Sequence, residues 1–549
     1  MSERLVKIQE YISGVSGVSI TVPFTESDLG LITGNVTVTE SQVILTFEVA
    51  INLFYPFQLH GSESIRFANE ELVKYNHVMK DGLVCIHTLH SPDLEQKLRY
   101  DFDSLKQWIN KYYINAENDQ HYEHIIVPSA ALKGIESCYL FTDVDHTFKS
   151  GDFGFMEYSW LNLGAHEDKK IDTFIIQSFN TGNKNVSCKW SSYYTVLPKL
   201  PGIYVFLPGT PVAHKRFAIQ KWFDLTPSVN LAFKNFFHQA QTKYGGNNQF
   251  NHIPLFIGYN LPNGEIHWQC AAIENGILSV YQTKSAVSKL IEKHFSDSDI
   301  VWLQTKNCSY NYYFGRGTLS EKFTNAKILI IGIGAIGSNL ATTLVRGGCK
   351  RIFVADYDLK EPENVCRAEY NFSTGLNSKV LDLSRHLCEI SPFLEVKLHE
   401  QFTDHIKLII NNSFDDKIVK NVLEKYDFIF DCSADNDLTF VLDKLNLQTK
   451  IINLSITNHA KELVCITNPN LYEWLINTFQ KLNSDTSDLY NPTGCWSPTF
   501  KASYNDIVTL VQYAIKHINY TLNNNLSLRN FYLKTESESG EFNIKLNQF

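Results

Sequence analysis

Between residues 326 and 379 the chain gathers side chains whose types and spacing suit phosphate chemistry. Gly332, Gly334 and Gly337 form a G-x-G-x-x-G turn directly after the apolar run 328–331 and just before a stretch of helical composition, 338–346. Glycines at a strand-to-helix turn let the backbone come close to a polyphosphate, and the N–H groups and positive dipole end of the helix then face the anion. A second strand-like run, 351–355, ends at Asp356, about 20 residues on, where an acidic side chain can meet a ribose hydroxyl. Alone, this pattern predicts a nucleotide site, most often for a dinucleotide. The residues that follow change the reading. Asp358, Asn364, Arg367 and Lys379 come next, and hydride transfer has no use for an amide, a guanidinium and an ammonium there. Such groups would neutralise a triphosphate and the charge developing at its α-phosphorus in nucleotidyl transfer.

Two cysteines stand in settings that suit a nucleophile. Cys85 lies just past the Asp81-Gly82 turn, downstream of Tyr75-Asn76-His77. Cys495 sits in NPTGCWSPTF, 491–500, after a polar stretch that reads as a mobile crossover loop and before the apolar, helix-like run 507–518. A thiol in an irregular loop near a helix N-terminus can have a lowered pKa and act in acyl transfer. The ordinary role of a cysteine is that of a small buried hydrophobe. The eleven cysteines are scattered, odd in number and without a C-x-x-C pair, so neither a disulfide framework nor a zinc ribbon is signalled.

The set G-x-G-x-x-G-S, D-x-D, N-x-x-R and downstream lysine resembles the ThiF/MoeB/ubiquitin-activating enzyme family. That resemblance implies that Asp356 holds the ATP ribose, that Asp358 belongs to the same nucleotide site, and that Asn364, Arg367 and Lys379 hold the phosphates. It also implies that Asp435, in DCSADN (431–436), serves Mg2+ and the α-phosphate. The family spacing is one residue shorter before this aspartate, so Asp431 competes for the role. Arg316, in FGRGTLSEKF (314–323), stands where family members place an arginine that reaches the nucleotide of a partner subunit, which implies a homodimer. Cys495 matches the crossover-loop cysteine that forms a thioester, while the cysteine-ligated zinc of many relatives is missing.

The N-terminal order of helix, meander, Tyr55-Pro56, short extended segment, histidine-bearing loop, Cys85 and helix resembles the catalytic core of ubiquitin-conjugating enzymes. There a His-Pro-Asn precedes the acceptor cysteine; here Tyr75-Asn76-His77 does, so His77 or Asn76 would donate to the oxyanion. The two ends together resemble the fused conjugating–activating enzymes of bacterial CBASS antiphage operons. The resemblance implies ATP-dependent activation of a protein C-terminus, capture on Cys495, transfer to Cys85 and delivery to a target lysine. The activated protein would be a cyclic-nucleotide synthase. A sulfur-carrier-type adenylyltransferase and an inactive scaffold are the alternatives.

Positioning these residues requires an α/β chain of about three units, at roughly 150 residues per domain. The expected division is a ubiquitin-conjugating-like α+β domain at 1–125, a mixed α/β linker at 126–305, and a doubly wound adenylation domain at 306–549. Expected strands are 19–23, 31–38, 42–53 and 64–67 in the first, 138–142, 173–178, 202–207, 254–259 and 266–271 in the second, and 394–398, 427–430, 451–455 and 462–466 in the third. Helices are expected near 4–12, 105–112, 225–244 and 378–388. Apolar residues at 44% and aromatics at 13% supply a core and exclude a disordered chain. A net charge of −9 argues against a nucleic-acid binder. No apolar stretch long enough to span a membrane and no signal-peptide pattern occurs, so a cytoplasmic, membrane-free protein is expected.

Overall fold

Hydrophobic periodicity sets the first elements. The chain, seen in a computed structural model, is described at residues 2–117, 130–166, 169–182, 184–213, 216–244, 252–261, 264–274, 277–284, 289–399, 406, 416–482, 502–538 and 540–549. Helix α1 (Glu3–Ser13) buries Leu5, Ile8 and Ile12 along one stripe, and its Ser2 cap accepts the Leu5 N–H at 3.1 Å. Strands β1 (Val18–Glu26), β2 (Ile32–Glu40), β3 (Val43–Ile51) and β4 (Ile65–Ala68) follow as an antiparallel meander in that spatial order. In β2, Ile32, Gly34, Val36 and Val38 face inward on alternate positions. A Cβ at Gly34 would lie 2.7 Å from the Phe24 ring, so β1 and β2 pack this closely only with glycine there.

Helix α2 (Leu94–Trp108) starts at its Asp93 cap and lays Leu98, Phe102, Leu105 and Trp108 on the meander. It continues as one π-helical turn, Ile109–Ile114, and that wider turn interrupts the single helical face expected through Tyr112. Lys97 is buried in this layer, and its ammonium is satisfied by Glu63 at 2.9 Å and by Asp101. Tyr55 donates to the same Asp101 carboxylate at 2.7 Å. Burial pushes the Asp101 carboxyl up, while Lys97 and Tyr55 oppose the shift.

Two compact units divide the chain: residues 1–136 with 148–154 and 203–304, and residues 137–147 with 155–202 and 305–549. In the first, residues 203–206 run parallel to 255–258, and strand Ile253–Asn260 pairs antiparallel with Ile266–Ile273. Trp268 and Trp302 are buried there. In the second, residues 156–166 pair antiparallel with 169–179, and strand Lys184–Ser187 continues the sheet. Trp190 is buried against Phe393, ring centroids 6.1 Å apart.

The rest of the second unit is a doubly wound sheet. Its strands are β5 (Lys327–Ile331), β6 (Arg351–Ala355), β7 (Glu395–His399), β8 (Phe428–Asp431), β9 (Lys450–Thr457), β10 (Glu462–Thr467), β11 (Phe531–Glu538) and β12 (Glu541–Gln548). The spatial order is β7-β6-β5-β8-β9-β10-β11-β12, parallel from β7 to β9 and antiparallel after that. Alternation within β5 makes the two cores. Ile328 and Ile330 join helices α3 (Ala335–Arg346), α4 (Lys379–Ile390) and α7 (Tyr504–Asn523) on one face. Leu329 and Ile331 join α5 (Asn436–Lys444) and α6 (Leu471–Leu482) on the other. The expected strands at 394–398, 427–430, 451–455 and 462–466 are present with slightly shifted ends. The closing hairpin β11-β12 was not expected, because its strands are mostly polar; Phe531 and Leu533 are buried in the core, and half-buried Ile544 and Leu546 pack against it.

Candidate functional site

The chain leaves β5 to build one side of the sheet and returns through β8 on the other side, so the order reverses between these two neighbours. Ligands of open α/β sheets bind at the strand C-termini beside such a reversal. Here Ile331 pairs with Asp431 at that edge, and a cleft of about 660 Å³ opens above them.

Each glycine of the turn answers a different steric demand. Gly332 has φ of 78° and a Cβ there would lie 2.4 Å from Ser433 Cα, so only glycine lets the turn press against the loop after β8. At Gly337 a Cβ would fall 2.0 Å from the Gly332 carbonyl oxygen, which fixes how closely α3 approaches the turn. At Gly334 a Cβ would meet nothing within 4 Å. Gly334 is also the N-cap of α3 and supplies no side-chain acceptor to the first-turn N–H groups. The open space and the uncapped donors together suit a bound phosphate. Gly334→Ala is therefore expected to fold with stability changed by no more than about 1 kcal/mol while weakening nucleotide binding about tenfold or more, a loss of roughly 1.4 kcal/mol. Thermal melting and nucleotide titration of the same preparation check this, and unchanged nucleotide affinity would remove the phosphate from the turn.

The cleft is lined by all the polar residues that the sequence grouped there: Asp356, Asp358, Asn364, Arg367, Lys379 and Asp435. Asp356 accepts the N–H of Ile333 and of Asp358, both at 2.9 Å, which ties the end of β6 to the glycine turn. Tyr370 supports the same turn by donating to the Ile333 carbonyl at 2.5 Å, and burial pushes its phenol up, keeping it a donor. Lys379, at the start of α4, pairs with Asp358 at 2.7 Å. Asn364 is occupied locally, its Oδ1 accepting the Glu361 N–H at 2.9 Å.

The two competing aspartates differ in their surroundings. Asp431 is fully buried and does not line the cleft. Its Oδ1 accepts from Ser433 N and Oγ at 3.1 and 2.6 Å, and its Oδ2 from Thr439 Oγ1 and Asn453 Nδ2 at 2.7 and 2.9 Å. Asp435 lines the cleft and caps α5, its Oδ1 accepting the N–H of Asp437 and Leu438 at 3.0 and 3.1 Å. Among the described residues, no group of three or more His, Cys, Asp or Glu could cage a metal. A magnesium ion commonly needs no such cage, since it takes one or two carboxylates and fills its shell with phosphates and water. Asp435 fits that use.

Sequence reasoning missed Lys360. Buried with Asp382 at 3.0 Å, it also donates to the Asn371 carbonyl at 2.7 Å and to Thr374 Oγ1. It thereby closes the segment that carries Asn364 and Arg367. A lone lysine between Leu359 and Glu361 gave no periodic signal of burial.

Arg316 does not line the cleft; it borders a second pocket of about 230 Å³ with Tyr313 and Arg346. In the first unit, half-buried Cys85 donates its N–H to the His77 carbonyl at 2.7 Å, so the two lie side by side. His77 has φ of 60°, and its ring lies 4.7 Å from that of Tyr112. The Asn76 carbonyl accepts from Trp108 Nε1 at 2.9 Å, while its amide donates to the Glu117 carbonyl at 3.5 Å. Cys495 lies outside the described residues.

Residues 311–459 match the ThiF family. The chain is similar to the ATP-dependent ubiquitin transferase-like protein Cap2 of Enterobacter hormaechei subsp. hoffmannii (strain UCI 50), 24% identical over 392 residues, 65% of this chain and 62% of that protein. It is also similar to tRNA threonylcarbamoyladenosine dehydratase 2 of Saccharomyces cerevisiae, 32% identical over 143 residues, 25% of this chain and 30% of that protein. Among solved structures it is similar to E. coli MccB with AMPCPP and selenomethionine MccA, 18% identical, covering 42% of this chain and 65% of that one, at a TM-score of 0.30. The chain thus spans less than two thirds of the length of each of these relatives.

Proposed function

We propose that this chain, whose residues 311–459 match the ThiF family, uses ATP to activate the C-terminal carboxylate of a protein and passes the acyl group through two cysteines to an amine. The reading rests chiefly on the convergence of the glycine turn with Asp356, Asn364, Arg367, Lys379 and Asp435 on one cleft at the sheet reversal. A carboxylate is a poor electrophile until one of its oxygens leaves as part of a good leaving group. Attack of that oxygen on the α-phosphorus of ATP expels pyrophosphate and gives an acyl-adenylate. Asp356 would accept from the ribose, the turn N–H groups would face the phosphates, and Arg367 and Lys379 would offset the charge that builds up as pyrophosphate departs. Magnesium, when bound, would neutralise phosphate charge, and Asp435 would hold it.

The Cys495 thiolate then attacks the acyl carbon and AMP leaves. Next, the Cys85 thiolate attacks the thioester and the Cys495 thiolate leaves. Finally an amine, in the natural case a target lysine, attacks the acyl carbon of the Cys85 thioester, the carbon–sulfur bond breaks with the Cys85 thiolate leaving, the amine's extra proton is lost, and an amide forms. His77, whose carbonyl accepts the Cys85 N–H, or its sequence neighbour Asn76 would donate to the oxyanion of this last step. By the resemblance to CBASS enzymes, and in keeping with the similarity to Cap2, the activated protein is a cyclic-nucleotide synthase and the role is antiphage defence. The protein would act in the cytoplasm as a homodimer, with Arg316 reaching a partner's nucleotide. Among the described residues, no helix is long and apolar enough to cross a membrane.

Isotope exchange between pyrophosphate and ATP tests the first step. Exchange is expected with a cyclic-nucleotide synthase that has its free C-terminus and not with one whose last residues are removed. Equal exchange without any protein substrate, or none with any, would refute the reading.

A further inference from the structure

Arg216 is a buried cation, 4% exposed, that the proposed chemistry leaves without a role. It stands just before the second strand of a small antiparallel pair, Val212–Ala213 with Phe217–Ala218. Its Nη2 donates to two carbonyls, Val73 at 3.0 Å and Val78 at 2.5 Å. Those carbonyls bracket Tyr75-Asn76-His77, the segment that turns at His77 and offers the His77 carbonyl to the Cys85 N–H. Burying a guanidinium is unfavourable unless acceptors replace the lost water, and an aliphatic residue would fill the same space without that cost. The Val73 and Val78 carbonyls are two such acceptors, and the Phe217 ring lies 5.1 Å from the guanidinium carbon.

The surroundings anchor the arginine on a rigid base. Trp302 Nε1 donates to the Ile219 carbonyl at 2.9 Å, and the Ile300 N–H to that of Gln220 at 2.7 Å. Lys80, on the Cys85 side, donates to Gln220 Oε1 at 3.1 Å. The middle of the chain thus grips both flanks of the loop before Cys85.

We propose that Arg216 is a positioning residue for acyl transfer, holding residues 73–78 so that Asn76, His77 and Cys85 keep the spacing needed when an amine attacks the Cys85 thioester. It rests on the reading of Cys85 as second acyl acceptor. The test uses full-length Arg216→Met and Arg216→Lys proteins. Hydrogen exchange over residues 73–85 should become at least about tenfold faster in the methionine variant, while strands at 32–51 keep their protection. The lysine variant, whose ammonium can still reach toward both carbonyls, should retain much of it. In single-turnover transfer from Cys85 to free lysine, the methionine variant should slow by up to about a hundredfold with the half-saturating lysine concentration unchanged, since small misplacements of reacting groups cost that much. Loading of Cys85 should persist.

Wild-type exchange over 73–85, or a wild-type transfer rate, in the methionine variant would overturn the proposal. So would loss of protection throughout 32–51, which would make Arg216 a residue of the fold alone. If the wild-type protein formed no thioester at Cys85, the conjugation reading would fall, and the exchange measurement would still decide whether Arg216 holds the loop.

Discussion

A Cys495→Ala protein is expected to release pyrophosphate and form the acyl-adenylate as the wild type does, yet to carry no thiol-labile acyl group. Adenylation needs only the carboxylate, ATP and the cleft, so removing a thiol should leave it intact. A Cys85→Ala protein should stop one step later, with the acyl group held on Cys495 and no amide product. Non-reducing gels run with and without added thiol separate the cases, because thiols cleave thioesters and spare amides. Other thiols of the same unit are mostly poor substitutes. Cys432 lines it, but burial and neighbouring Asp431 push its thiol well above the ordinary range, so it stays protonated. Cys349, Cys388 and Cys465 are buried as well. Cys366 is exposed between Asn364 and Arg367, so a thioester surviving in Cys495→Ala would move the first capture there. A Cys85→Ala protein that conjugated at the normal rate would sink the conjugating role of the N-terminal region and leave a sulfur-carrier-type activating enzyme.

What the sequence made legible follows from local physics. Strand β2 declares its inward face through Ile32, Val36 and Val38, and the glycine turn declares itself because Gly332 and Gly337 lie where no Cβ fits. The grouping of Asp356, Asn364, Arg367 and Lys379 was readable because all of them lie within one strand, loop and helix start, so sequence proximity carries over into space. Features set by distant pairs were not readable. Asp382 accepts from Lys360 across 22 positions, and Arg216 meets the Val73 and Val78 carbonyls across 143 and 138. No periodicity marks such a cation as buried. The β11-β12 hairpin did carry a turn signal, Gly540 with φ of 85°, but its alternation is diluted by polar residues facing solvent. The choice between Asp431 and Asp435 also stayed open, since two acids four apart look alike until the backbone shows that one ends a strand and the other caps a helix.

That difference gives the second large effect. Asp435→Asn should reduce pyrophosphate exchange by about 10²–10³-fold, the scale on which single preorganised electrostatic groups act, with little change in stability. Asparagine caps a helix about as well as aspartate, so the hydrogen bonds to the N–H groups of Asp437 and Leu438 can survive while the charge facing the cleft is lost. Asp435→Ala should lose exchange equally and in addition cost about 1 kcal/mol of stability from the missing cap. Asp431→Asn should do the reverse. Ser433 N and Oγ, Thr439 Oγ1 and Asn453 Nδ2 all donate to Asp431, so an amide there turns one donor toward Ser433 or toward Thr439 and Asn453 and leaves a buried group unsatisfied. The expected cost is about 1–3 kcal/mol, read as a lower melting temperature, with exchange per folded molecule little changed. Full exchange in Asp435→Asn, together with its loss in a folded Asp431→Asn, would transfer the magnesium and α-phosphate role to Asp431.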